Sequence, residues 1–478
     1  MKPESNRASE RRARRIAILG GGISGVTAAW QLSQRERAHG DIDLTLFEAS
    51  PRLGGIVETT LRDGFTVECG PDGWVTEKPW ARELARELGI HGKLIPSLDA
   101  GRVTYILSAG KLVAIPDAMR MMVPTDLAAL DASPLFSEEA KRAYAAEPGR
   151  AAELKASAPD HDESIAEFVR RHFGDEVLNK VAAPLLSGVF GGDVAKLSVR
   201  AVMPAFVRME RTHGSLILAL QSAAKSATGQ DKPTIFTSLT AGTAAFIDRM
   251  KSELPPSSIR VNTPVTKLTR YDNHWLVEAA GETLAFDDVI IALPAHVARQ
   301  LIKPLSLQLA DLLTMEASSA VIAAFAFKQT FDLPRGFGFL VPAGEDSQLL
   351  AATFVDQKFP GRVPEDGGRL LRAFFGGEQA HTIAAKSDNE IAGLALAELS
   401  KSLGPLPQPT FQIVRRWPSS LPQYEVGHLE RVAEIESLVR QQPNLWLLGN
   451  GYRGVGLPDL IRDARAAARE LLNGLDQH

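Results

Sequence analysis

One cysteine, Cys69, stands in 478 residues. Its isolation excludes an intramolecular disulfide, a CxxC redox pair and any multi-cysteine metal site, and a reducing compartment fits it best. The ten histidines show no clustered ligand spacing and no HExxH, so no metal is expected. Long apolar runs are missing as well. AVIAAFAF (320–327) ends at Lys328, well short of the ~18 uncharged residues of a spanning helix. The basic start MKPESNRASERRARR leads into only four apolar residues, lacks the h-region of a signal peptide and reads as a tail. Neither sign of charge dominates: 53 Lys plus Arg against 57 Asp plus Glu give a net −4, which excludes long-range attraction to nucleic acid.

What is present is a long globular chain of roughly two to four domains. RIAILGGGISGVTAAWQLSQ, from Arg15, is a short β-branched run, a glycine cluster and a helix-like stretch. A second strand, Asp43 to Phe47, completes a βαβ unit. The text from about Ser97 to Ala205 is largely helical. Strand signals return from Ile259 to Pro294, and two further apolar strands are expected at AVIAAFAFK and RLLRAFFGG. The chain closes with a strand (Leu445 to Leu448), a glycine-rich turn and a helix from Pro458 onward.

Gly20-Gly21-Gly22-Ile23-Ser24-Gly25 satisfies GxGxxG. The missing side chains permit a tight turn, backbone approach to a pyrophosphate and close helix–strand packing, with the helix N-terminus facing the phosphates. Glu48 ends the next strand, where an acid accepts hydrogen bonds from ribose hydroxyls. Two additions favour FAD over NAD. Arg52 to Gly55 directly follows the acid, where a guanidinium can reach the phosphate. The distant WLLGNGYRGVGLPD offers a second helix N-terminus to negative charge on a reduced flavin.

With these features the chain resembles the flavin amine oxidase superfamily, and within it the oxygen-dependent protoporphyrinogen and coproporphyrinogen oxidases. The resemblance covers nearly the whole chain. It is carried by LGGGISG (19–25), EASPRLGG (48–55), ECGPDGW (68–74), PLLSGVFGGDVAKLS (184–198), GFGFLVP (336–342), FPGRVP (359–364), LPQYEVGH (421–428) and GNGYRGVGLPD (449–459). It implies an α/β fold: a Rossmann-like FAD-binding domain of discontinuous segments (15–66, 235–294 and 440–478), a mixed α+β substrate domain (67–95, 206–234 and 295–439) and an inserted helical domain (96–205).

The resemblance further implies non-covalent FAD held by Gly20, Gly21, Gly22, Ile23, Ser24, Gly25, Glu48, Ala49, Arg52, Gly55 and Ile56. Gly70, Pro71, Asp72 and Gly73 would lie beside the isoalloxazine, Val265 at the adenine end, and Asn450, Val455, Gly456 and Leu457 would close the site. On the substrate side, Arg102 would pair with a propionate, the alternative being a rim salt bridge. Gly188 would let the backbone approach the pyrrole N–H groups, the alternative being a helix C-cap. Asp72 stands where animal members carry an arginine, so the propionate anchoring pattern does not transfer whole. No acid–base residue is visible, and His428 reads as structural. The Met119 to Met122 stretch reads as packing rather than a channel or membrane patch.

The implied reaction is oxidation of protoporphyrinogen IX to protoporphyrin IX by dioxygen, with coproporphyrinogen III as the alternative substrate. An amine oxidase or carotenoid desaturase is opposed by LPQYEVGH and GFGFLVP; a flavin-binding protein without turnover is opposed by the complete flavin motifs. The partners implied are a porphyrinogen, dioxygen and no nucleic acid, in the cytoplasm; the apolar text of the 97–205 region either makes peripheral contact at the inner membrane face or closes the substrate cavity. Monomer and homodimer both stay open.

Overall fold

The computed structural model describes residues 12–226 and 234–476; most of the basic N-terminal stretch lies outside them. At its centre is a five-stranded, all-parallel sheet in the order Ile259–Arg260, Ile42–Phe47, Arg14–Leu19, Asp288–Ile291, Leu445–Leu447. Ile16, Ala17, Ile18 and Leu19 are buried on both faces, which is why the first strand has an unbroken apolar run instead of an alternating one. Leu19 lies in register with Phe47 and Ile291, and Ile291 with Leu447. The strands therefore finish level, and everything that follows them gathers along one edge. The helix Ile23–His39 packs on the sheet and on the C-terminal helix Leu457–Asp476.

A seven-stranded mixed sheet forms the second layer, in the order Phe411–Pro422, Ala317–Phe327, Arg369–Phe375, Ala351–Phe354, Gly338–Leu340, Thr104–Ser108, Lys111–Ala114. The two apolar strands expected from the sequence pair with each other here, Val321 opposite Phe375. The last two strands correct the sequence reading, which placed 96–205 in a helical insert. They are a hairpin closed by Ala109 and Gly110, both at positive φ, a turn matched to strand twist but hidden in helical text by its shortness. Helices Pro204–His213 and Leu216–Ser226, assigned by sequence mostly to the substrate region, instead complete the insert's core through Phe206, Leu216, Ile217 and Leu220. Helix Trp80–Glu87, likewise assigned there, packs into the parallel-sheet core through Ala81, Leu84 and Ala85.

The insert is organised around apolar stripes. Ile165–Phe173 starts in a capping box between Ser164 and Glu167 and buries Phe168, Val169 and Phe173. Among them His172 is buried between Glu147 Oε1 at 3.0 Å and Glu210 Oε1 at 3.2 Å. Arg171 Nη1 donates to the same Glu210 oxygen at 2.7 Å. Met119, Met122 and Val123 are core residues, while Arg120 and Met121 reach solvent.

Burial opposes charging His172, but its bonds to Glu147 and Glu210 outweigh burial and raise its pKa above the usual value. The stabilisation from charged His172 is therefore complete below the unfolded pKa of about 6.5 and is lost as pH rises through the higher folded value. We predict that the thermal midpoint falls between about pH 5.5 and pH 8.5, a range spanning that reference, and that His172→Gln flattens this fall. Parallel slopes for the two proteins would show that His172 does not carry the dependence.

Candidate active site

Along the carboxyl edge of the parallel sheet, three backbones approach unusually closely. A Cβ on Gly20 would sit 2.4 Å from the Ala292 carbonyl oxygen, and one on Gly25 would sit 1.9 Å from the Gly20 carbonyl oxygen. Both positions exclude any side chain. Gly22 differs: a Cβ there would meet nothing within 4 Å, and its φ of −68° suits any residue. Protein packing does not require a glycine at 22, and the space there is open to a ligand. The helix that starts there has no side-chain cap and no acid in its first turn, leaving its first N–H groups and the positive end of its dipole for an anion. These residues fit the pyrophosphate of FAD.

Glu48 reaches the same turn, accepting from the Gly21 N–H at 2.7 Å and the Ser50 N–H at 2.8 Å. Segment 260–263 packs against it: Glu48 N–H donates to Arg260, and Thr263 N–H donates to the Glu48 carbonyl at 2.8 Å. That contact brings Val265, at a bulge in its strand, to the Glu48 end of the cleft, while Ala49 is exposed. Gly54 N–H donates to the Gly21 carbonyl at 2.7 Å, so the two glycine turns are joined directly, and Gly55 lies against Gly22. Arg52 differs from the expectation of a phosphate clamp. Its guanidinium donates to the Leu53, Val57 and Gly55 carbonyls and pairs with Glu58 at 2.9 Å; it holds the loop's shape.

The next segment is fixed by contacts that only glycine allows. A Cβ on Gly70 would fall 1.8 Å from the Ile56 carbonyl oxygen, and one on Gly73 2.6 Å from that of Thr237. Pro71 and Asp72 lie between them. Cys69 is buried, its thiol beside Thr60 and its pKa pushed up by burial, an environment that keeps it unreactive and agrees with non-covalent flavin.

The far wall is the turn Asn450 to Leu457. Its organiser is Tyr424, whose hydroxyl donates to the Asn450 carbonyl at 2.5 Å and accepts from the Gly454 N–H at 3.0 Å. Burial raises the tyrosine's pKa far above its usual value, so it stays neutral and able to donate. Val455 and Gly456 lead into the helix beginning at Leu457. The notion that this helix end faces a reduced flavin unopposed needs correction. Its first turn holds the buried Asp459, paired with Lys78 at 2.5 Å and Arg462 at 3.3 Å.

His428 is structural as expected: it is buried, stacked on Tyr424 at 3.9 Å and bonded to the Tyr452 carbonyl, and burial lowers its pKa. Sequence reasoning missed Tyr424 as a loop anchor; LPQYEVGH was visible as a motif, but nothing local to it shows which distant backbone it holds.

On the substrate side, Gly188 is exposed and touches only Leu340, at 3.6 Å from a would-be Cβ. The helix C-cap is Gly191, at φ 61°, which removes the capping reading for Gly188. Leu340 pairs with Ile106, on the strand that runs on from Arg102. The Arg102 side chain is exposed and has no ion-pair or hydrogen-bond partner among the described residues, which removes the rim salt bridge. Arg335 lies against the same turn, donating to the Ala100 carbonyl at 3.2 Å. Beyond the Gly188 helix lies a cavity of about 480 Å³ lined by Ser187, Gly191, Ser318, Leu350 and Gln423, within the usual range for small-molecule sites. Among the described residues no cluster of acids, histidines or cysteines could hold a metal.

Gly22→Ala should fold with an unchanged thermal midpoint as apoprotein yet bind FAD at least about tenfold more weakly, ~1.4 kcal/mol. Gly25→Ala should destabilise the apoprotein itself, because the helix must lift from Gly20, an overpacking penalty of about 1–3 kcal/mol or more. Thermal melts and FAD titration of both variants test this; wild-type flavin affinity in Gly22→Ala would show that the open space is not the cofactor's.

The family model described as flavin containing amine oxidoreductase matches residues 23–472. The chain is 33% identical to the coproporphyrinogen III oxidase of Bacillus subtilis (strain 168), over 96% of this chain and 98% of that one. It is 28% identical to the chloroplastic protoporphyrinogen oxidase of Nicotiana tabacum, over 96% and 86%. A crystal structure from Exiguobacterium sp. 255-15, itself provisionally assigned as a protoporphyrinogen oxidase, superposes with a TM-score of 0.83 at 32% identity, covering 96% of this chain and 98% of that chain. With the glycine cradle, Glu48 and the joined loops in place, the chain is a flavin-dependent oxidoreductase that belongs to the flavin-containing amine oxidoreductases and, among them, to the coproporphyrinogen and protoporphyrinogen oxidases.

Proposed function

We propose that this enzyme oxidises coproporphyrinogen III to coproporphyrin III with dioxygen as acceptor, yielding hydrogen peroxide. This reverses the order of substrates expected from the sequence. The relatives at 33% and 31% identity carry the coproporphyrinogen name, against 28% for the plant protoporphyrinogen enzymes. The porphyrinogen reading is supported by the exposed, unpartnered Arg102, just before the strand Thr104–Ser108, and by Gly188, which faces Leu340 on the adjoining strand Gly338–Leu340. A free guanidinium suits a carboxylate that is ionised at neutral pH, and bare backbone suits close approach to a macrocycle. Arg335, whose guanidinium lies against Gly101 and donates to the Ala100 carbonyl, adds a second cation to the turn that carries Arg102, which suits a substrate with several carboxylates.

FAD, held by the glycine turns, would supply hydride acceptance from a bridge carbon and electron transfer to dioxygen, three two-electron oxidations making up the six-electron reaction. The chain's own part is to hold the substrate carboxylates at Arg102, admit the ring past Gly188, and fix the cofactor between the glycine turns. A peripheral membrane contact is proposed at the face where Met121 and Leu218 are exposed on neighbouring elements; no helix among the described residues is long and apolar enough to cross a membrane. Protein that stays wholly soluble with liposomes at low salt in a flotation assay would remove that contact.

Anaerobic mixing should bleach the flavin faster with coproporphyrinogen III than with protoporphyrinogen IX, and air should restore the colour; bleaching with neither refutes the reading. Arg102→Ala should raise KM for the better substrate about tenfold, since losing a charge-assisted contact costs roughly 1.5–3 kcal/mol. Because the contact is remote from the reacting carbon, kcat should fall less than kcat/KM. Arg102→Lys should recover part of the loss. Unchanged kinetics in Arg102→Ala on both porphyrinogens would remove the arginine from the site.

A further inference from the structure

The backbone carbonyls of Cys69, Gly70, Pro71 and Asp72 are each taken by a side chain from a distant part of the chain. Trp417 Nε1 donates to Cys69 at 2.7 Å, Arg372 Nη2 to Gly70, Thr243 Oγ1 to Pro71 at 3.1 Å and Ser238 Oγ to Asp72 at 2.7 Å. The N–H groups of Gly70, Asp72 and Gly73 have no acceptor among the described residues. Residues 70–73 are half-buried, and an N–H that became fully buried there without an acceptor would cost about 1–3 kcal/mol. The segment thus offers donors and nothing else to whatever lies against it.

Behind it sits an excess of positive charge. Lys358 Nζ chelates the Asp72 carboxylate at 2.8 and 3.0 Å, and Arg372 Nη1 lies 3.5 Å from it. Arg362, fully buried, donates to Ser238 Oγ at 2.5 Å and lies 3.8 Å from Glu68. Three cations face two carboxylates. Nε and Nη1 of Arg362 and Nε of Arg372 are buried without partners. Buried cations in excess are costly unless an anion lies opposite, and the donor-only backbone in front is where such an anion would be received. Burial raises the pKa of Glu68 and lowers that of Arg362, so the surplus rests on Lys358 and Arg372 around the single Asp72 carboxylate.

We propose that Lys358 and Arg372 are positioning residues for the flavin: through Asp72 and Gly70 they hold the Cys69–Gly73 backbone with its N–H groups toward the isoalloxazine, and their charge favours the reduced, anionic cofactor over the oxidised one. The inference rests on FAD binding beside residues 70–73 and is independent of which porphyrinogen is oxidised. Neither residue touches the substrate. Arg372 comes from the middle of the seven-stranded sheet and Lys358 from the short helix Val355–Lys358, so the substrate sheet itself sets the cofactor's surroundings.

The test is the midpoint potential of the FAD-loaded protein, measured by anaerobic dye-linked titration with no porphyrinogen present, so that failure to oxidise any porphyrinogen leaves it intact. Lys358→Met should favour reduced over oxidised FAD at least tenfold less than wild type, a midpoint lower by about 30 mV for a two-electron couple. Lys358→Arg, which keeps the charge, should restore most of the difference. Arg372→Met should act in the same direction, and if it does not fold the Lys358 pair decides alone. A Lys358→Met midpoint equal to wild type, whatever happens to FAD affinity, would make the cluster a structural brace and overturn the proposal. So would a lowered midpoint that Lys358→Arg leaves unrestored.

Discussion

The contact of Gly25 with the carbonyl of Gly20, and of Gly20 with that of Ala292, sets the depth at which the first helix lies on the parallel sheet. A methyl group at Gly25, 1.9 Å from the Gly20 oxygen, would push the helix outward by more than an ångström, and one at Gly20, 2.4 Å from the Ala292 oxygen, would also force the turn to shift. Gly21 would then leave Glu48, and Gly54 would leave Gly21. The second glycine turn, the Glu48 corner and the 260–263 crossing are all placed by that one approach. Core packing can absorb a missing methylene at a few kcal/mol, but it cannot absorb a backbone contact under 2 Å.

The second organising element is the end of the long strand Phe411–Pro422 and the residues that follow it. Trp417 fixes the Cys69 carbonyl. Gln423 donates to the carbonyl of Phe190, at the end of the Gly188 helix. Tyr424 fixes Asn450 and Gly454. One stretch of chain thereby ties the Cys69–Gly73 segment, the Gly188 helix and the turn Asn450–Leu457 to a single strand, and a displacement of any one is felt by the other two.

Much of this was legible before any coordinates. The glycine turn, Glu48 and the flanking strand and helix are a local pattern, because the ligand contacts lie within one βαβ unit. The open space at Gly22 followed from the same spacing. The hairpin 104–114 escaped because its strands are short and its turn, Ala109-Gly110, is unremarkable among alanine-rich text. Arg52 was misjudged because a guanidinium next to a glycine pair reads equally as a phosphate ligand or as a loop brace, and only the positions of Glu58 and three carbonyls decide. Arg372, Lys358 and Tyr424 carry no local signature at all: their partners at 70, 72 and 450 are set by strand order, which sequence periodicity does not encode.

The parallel sheet also imposes a schedule on biosynthesis. Its central strand, Arg14–Leu19, emerges from the ribosome near the beginning, its neighbour Asp288–Ile291 much later, and its outer strand Leu445–Leu447 almost at the end. The helix that covers Ile23–His39 comes last of all. A nascent chain therefore holds the apolar run Ile16–Leu19 unpaired on one side through most of translation, while the helical insert, continuous over about residues 115–226, has already acquired its own core. Contacts of such long range fold slowly and leave aggregation-prone edges exposed in the interval. The cofactor cleft, bordered by both the earliest and the latest segments, is thus among the last features of the molecule to exist.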